Sequence, residues 1–170
     1  MYQIGDYIVY GNEGVCRVDE IAPFHIPGMT AERLYYTLTP LYHDEKIYTP
    51  VDTEVFMRPV ISREEAIELI STIPGIEAEA YENKNLRFLN EQYEESFQSH
   101  DCADLLRVIK AVYIKRCSAN ERGRKLGQID ERYMKRAEDR LHEEFAVALG
   151  IPKDEVREYI RKAVGGKEET

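Results

Sequence analysis

Tryptophan is missing from the 170 residues, cysteine occurs three times and histidine four times. Each scarcity removes a class of protein. Cys16, Cys102 and Cys117 are odd in number and never form a C-x-x-C, so neither a disulfide framework nor a thiolate metal site is readable. His25, His43, His100 and His142 show no H-E-x-x-H and no paired spacing, and each reads as a surface or boundary side chain. No metal and no cofactor is expected. No apolar run approaches the ~18 residues that a bilayer span requires. The opening MYQIGDY also lacks the basic n-region and apolar h-region of a signal peptide. A soluble cytoplasmic protein with no membrane partner is the expectation.

Signatures of catalysis are equally scarce. Gly11 to Gly14 joins two β-rich runs and is not followed by Lys-Ser/Thr, so it is a hairpin turn rather than a phosphate loop. The carboxylate pairs Glu64-Glu65, Glu94-Glu95 and Glu143-Glu144 read as helix starts or solvated helix faces. A non-enzymatic protein without a small-molecule substrate follows.

What the sequence has is asymmetry. The net charge is −9, yet residues 107–136 carry ten basic and three acidic side chains. A basic segment inside an acidic chain is a local field able to choose a partner. Its members Arg107, Lys110, Lys115, Arg116, Arg122, Arg124, Lys125, Arg132, Lys135 and Arg136 define a candidate basic ridge. The competing reading is an ordinary solvated face balanced by Glu91, Glu94 and Glu138.

Two periods divide the chain. Tyr7-Ile8-Val9-Tyr10, Val15-Cys16-Arg17-Val18, the alternation around Leu34, Tyr36 and Leu38, Ile47-Tyr48-Thr49 and Val55-Phe56-Met57 predict five short strands. Pro40, Pro50 and Pro59 fall at strand ends, where a missing N–H costs no ladder bond. At Ser62-Arg63-Glu64-Glu65 a capping box opens a helix, and helical spacing holds from there. Pro74-Gly75 ends that first helix. A second helix is predicted from about Asn85 to Phe97 and a third from Asp101. A loop follows from Ser118 to Gly127. A long fourth helix starts at Asp130 and ends at Gly150, and a fifth surrounds Val156, Tyr159 and Ile160. The polar tail from Gly165 to Thr170 is expected to fray. The predicted fold class is α+β with two domains, a five-stranded antiparallel Tudor-like barrel over 1–61 and five helices over 62–170. Nine aromatic side chains in the first sixty residues exceed what so small a core encloses, and the surplus marks a partner-binding surface, with packing against the helical half as the competing reading.

Ile4-Gly5-Asp6-Tyr7-Ile8-Val9-Tyr10 followed by Gly14-Val15 resembles the opening of the CarD family's RNA-polymerase-interacting domain, a domain type shared with the transcription-repair coupling factor. Tyr35 to Leu38, Thr49-Pro50 and Met57 to Ser62 continue the resemblance, and Phe145 to Ile151 is similar to the end of the family's last long helix. The resemblance implies a transcription regulator. Its barrel would dock on the β subunit of bacterial RNA polymerase, and its helices would touch promoter DNA at the upstream edge of the melting bubble, independently of sequence. An adaptor that binds polymerase but not DNA is the alternative.

Carried onto this chain, the polymerase contact falls on Phe24 and on Lys46, Ile47, Tyr48, Thr49, Pro50 and Val51. Family members often carry basic residues there, so the contact here is more apolar. The implied DNA contacts are Lys84, Leu86, Arg87, Lys115, Arg116, Arg122, Arg124, Lys125 and Arg132. The family's tryptophan wedge has no counterpart. Leu86, after Asn85, takes its position and is either a wedge or a core residue on the face of Leu89 and Tyr93.

Overall fold

The computed structural model describes residues 1–24, 27–28 and 33–165. His25 and the tail from 166 to 170 lie outside them. Two compact units emerge, Met1–Ile61 and Ser62–Thr170. The first holds a five-stranded antiparallel sheet and the second is helical, the α+β layout that the change of period predicts.

The strands are β1 (Tyr7–Tyr10), β2 (Gly14–Phe24), β3 (Arg33–Pro40), β4 (Ile47–Pro50) and β5 (Met57–Pro59), in spatial order β4-β3-β2-β1-β5. Three strands end on proline, two of them at the sheet edges. Alternation places Ile8, Cys16, Val18, Tyr36 and Leu38 in one buried cluster. The Tyr10 hydroxyl meets Thr49 Oγ1 at 3.1 Å, although β2 and β3 stand between β1 and β4 in the order. The sheet is therefore curled enough for its first and fourth strands to meet across the core.

Two strand expectations are corrected. β2 runs six residues past Val15-Cys16-Arg17-Val18, to Phe24, because a register shift between Val18 and Glu20 breaks the alternation that a sequence pattern follows. β5 begins at Met57 rather than Val55, since Gly11 turns the chain away beyond the Tyr10–Met57 pair. Gly11 has φ +45° and an added Cβ would stand 2.9 Å from Val55 Cγ1, so both its backbone and its surroundings require glycine.

The helices are α1 (Arg63–Thr72), α2 (Leu86–Ser96), α3 (Cys102–Glu121), α4 (Gln128–Leu149) and α5 (Val156–Ala163). The capping box is formed: Ser62 Oγ accepts from Glu65 N–H at 3.1 Å and Glu65 Oε1 accepts from Ser62 N–H at 3.3 Å. Asn85 caps α2 and Asp101 caps α3, each through its side-chain oxygen. Gly150 closes α4 in the left-handed region at φ +69°. Lys115 meets Asp130 and Cys102 meets Glu144, so α3 and α4 run antiparallel. α3 continues to Glu121 and α4 starts at Gln128, which shortens the predicted loop to residues 122–127. The polar end of α3 offers no apolar period, so sequence patterning is silent there. Glu143 and Glu144 are buried, against the solvated-face reading: Glu144 Oε1 accepts from Cys102 Sγ at 3.1 Å and Glu143 lies 3.5 Å from Lys153 Nζ.

Candidate functional site

In the first unit, among the described residues, β4 pairs with β3 on its inner side and forms an edge of the sheet, with a row of backbone donors and acceptors on its outer side. Alternation turns Thr49 inward and Tyr48 outward. Tyr48 is 57% exposed and Phe24 is 47% exposed. Their ring centroids are 6.2 Å apart, and Phe24 also lies 5.4 Å from Tyr35. Three rings from β2, β3 and β4 thus form one exposed aromatic face beside a sheet edge. Lys46 stands exposed ahead of the strand, whereas Ile47, Pro50 and Val51 are half-buried and support it. Val51 N–H donates to the Leu34 carbonyl at 3.0 Å and so belongs to the sheet rather than to the free edge. The Thr49 side chain is buried beneath the strand, against the Tyr10 hydroxyl.

In the second unit the N-terminus of α2 presents Leu86 and Phe88, 62% and 54% exposed, while Leu89, Tyr93 and Phe97 turn inward. The core reading of Leu86 is thereby overturned: in the first turn it projects beyond the point where α2 meets its neighbours. Asn90 contacts Arg132 and Tyr133, and one turn later Glu94 contacts Tyr133 and Arg136. Successive turns of α2 thus follow α4 in the same direction. The start of α2 and the loop 122–127 ahead of α4 therefore share one end of the unit.

Arg122, Arg124 and Lys125 are exposed on that loop and make no ion pair among the described residues. Lys84 and Arg87 flank Leu86 and are exposed, Arg87 in a loose 3.4 Å pair with Glu91. Arg132 donates to Asn90 Oδ1 at 2.8 Å and lies over the Tyr133 ring. One member of the predicted set is corrected. Lys115 is an internal strut: its Nζ donates to the Tyr81 carbonyl at 2.7 Å and to Asp130 Oδ1 at 3.0 Å. Arg116 is half-buried along the groove between α3 and α4.

The strut anchors an aromatic column that fixes this end. Tyr81, Tyr93, Tyr133 and Phe97 follow one another at centroid distances of 4.8, 4.7 and 5.8 Å. Burial, then its hydrogen bond to Asp130, raises the Tyr93 hydroxyl pKa, so the group stays a donor at any ordinary pH. At the column's edge the Tyr133 hydroxyl, then the Arg136 guanidinium, hold Glu94 below the usual carboxylate range. Phe88 is an exposed apolar side chain of this tip that sequence reasoning missed. Its signal was its position off the face set by Leu89, Tyr93 and Phe97.

The first unit is a small curled sheet with an exposed aromatic face beside its edge, and the helical unit carries an apolar and cationic tip. Residues 2–61 match the family described as the CarD-like/TRCF RID domain. The N-terminal unit is a CarD-like RNA-polymerase-interacting domain, an interaction module of the transcription apparatus. No curated protein matches the chain. Among the described residues no helix is long and apolar enough to cross a membrane.

Proposed function

We propose that the protein is a non-enzymatic transcription regulator acting in the cytoplasm at the nucleoid. Its first unit docks on the β subunit of bacterial RNA polymerase through the β4 edge and the Phe24–Tyr35–Tyr48 face. Its helical unit touches promoter DNA near the upstream edge of the bubble. The observation that carries the DNA contact is the tip itself, where exposed Leu86 and Phe88 share an end with the unpaired cations of loop 122–127. Cations hold phosphates without reading sequence. An apolar side chain beside them inserts at a weakened base step and offsets part of its unstacking.

The cationic part is tested by salt. Arg122→Gln, Arg124→Gln and Lys125→Gln each lower the slope of log K against log salt by about one on forked promoter DNA, for all sequences alike. Lys115→Met leaves that slope unchanged. Loop variants with the original slope would favour the adaptor reading.

The apolar part is tested at Leu86. Because its side chain is exposed, Leu86→Ala changes stability by less than about 0.5 kcal/mol, in contrast to the ~2–5 kcal/mol of a core truncation. The open promoter complex then decays faster. Leu86→Trp folds normally and lengthens the complex lifetime. A stable Leu86→Ala protein whose open complex keeps its lifetime removes the wedge.

A further inference from the structure

Away from the tip, α3, α4 and α5 enclose a cleft of about 420 Å³ that the polymerase and DNA contacts leave unused. Its floor is apolar, made by Leu106, Ile109, Met134, Leu141 and Ile160. Its rim is cationic: Lys110, Arg116, Lys135 and Arg157 face it against two carboxylates, Glu131 and Glu138. Arg157 is already committed to Glu138 at 2.6 Å. Lys110, Arg116 and Lys135 make no ion pair among the described residues. His142 also lines the cleft, and burial lowers its pKa to about 4, so it faces the cleft as a neutral imidazole. The site is thus dry below and positive above.

Volume and charge together choose the occupant. Small-ligand sites run from ~300 to 1,000 Å³ with apolar walls and a few polar groups, and this cleft lies within that range. A docking helix is ~10–12 Å across with its side chains, and a space of 420 Å³ admits only a few of them. The long stems of Lys110 and Lys135 can lie along the walls while their ammonium groups stay at the rim. We propose that the cleft binds a small amphiphile with one anionic head group and an apolar body, of the class of medium-chain carboxylates. The head pairs with Lys110 and Lys135, and the body covers Ile109, Met134 and Ile160.

The full chain tests this with anilinonaphthalene sulfonate as the fluorescent reporter and octanoate and octanol as competitors of equal length. Octanoate displaces the reporter at least about tenfold more effectively than octanol at low salt, and the preference shrinks as salt screens the rim. Lys110→Gln/Lys135→Gln weakens octanoate about tenfold, as loss of two partly exposed charge contacts implies, and leaves octanol unchanged. Ile109→Phe fills the floor and weakens both. Circular dichroism checks that the variants keep their helices. If Ile109→Phe does not, the surface lysine pair decides alone. Equal displacement by octanol, failure of octanoate to displace the reporter, or unchanged octanoate affinity in the lysine pair overturns the proposal.

Discussion

Tyr48→Glu lowers the affinity of the full chain for bacterial RNA polymerase by about a hundredfold, ~3 kcal/mol, while leaving the protein folded. Tyr48 is the most exposed member of an aromatic face whose other rings, Phe24 and Tyr35, come from neighbouring strands. A carboxylate placed there must either be desolvated on docking or hold water inside the interface, and both oppose association. Stability is spared because the ring lies on the outward side of an edge strand, where substitutions change folding energy by about 0.5 kcal/mol or less. Surface capture of immobilised polymerase measures the first quantity and thermal unfolding the second. A folded Tyr48→Glu protein with wild-type affinity places the polymerase surface elsewhere. Lys46→Ala serves as the ionic comparison: it changes the salt dependence of association more than the affinity.

Asp130→Ala destabilises the helical unit by about 3 kcal/mol. Asp130 Oδ1 is the shared acceptor for the Tyr93 hydroxyl at 2.6 Å and the Lys115 ammonium at 3.0 Å. Removing it strands a fully buried hydroxyl and a cation whose side chain is 21% exposed. The cost sits at the lower end of the ~3–5 kcal/mol seen for broken buried pairs, since Lys115 retains the Tyr81 carbonyl. Asp130→Asn keeps an acceptor and loses less. Lys115→Met costs about as much as Asp130→Ala, because it leaves the Asp130 carboxylate, whose side chain is 4% exposed, without its cation. Chemical denaturation of the three variants shows Asp130→Asn as the most stable of them. An Asp130→Ala protein as stable as the parent would show that the column, not the carboxylate, holds this end together.

The sequence made the frame legible and the tip only half so. Strand ends marked by proline, the Ser62 capping box and the Gly150 stop are local devices, written in adjacent residues, and each has the expected form. The length of β2 was hidden because a bulge resets the period of two. Lys115 and Arg122 look alike in sequence, both cations in a basic segment. Only tertiary packing shows that one faces Asp130 and the other faces water. Leu86 was ambiguous for the same reason: its spacing to Leu89 and Tyr93 fits a buried face, but its place in the first turn carries it past its neighbours. Phe24 and Tyr48 lie far apart in the chain, and the antiparallel ladder brings their rings together.

Between Pro59, the last residue of β5, and Ser62, the cap of α1, stand only Val60 and Ile61. Val60 N–H donates to the Tyr7 carbonyl at 3.1 Å, so the sheet holds the chain to within two residues of the α1 cap. On the proposed function, docking of the first unit keeps the covalently linked second unit nearby, with an effective concentration in the millimolar range typical of short tethers. A grip on DNA too weak to detect in free solution is then sufficient. The net charge of −9 becomes an advantage under these conditions, because general repulsion from nucleic acid discourages stray binding while the tether supplies the local concentration at the promoter. On the proposed function, the shortness of this connection, rather than any base contact, sets where the helical unit acts.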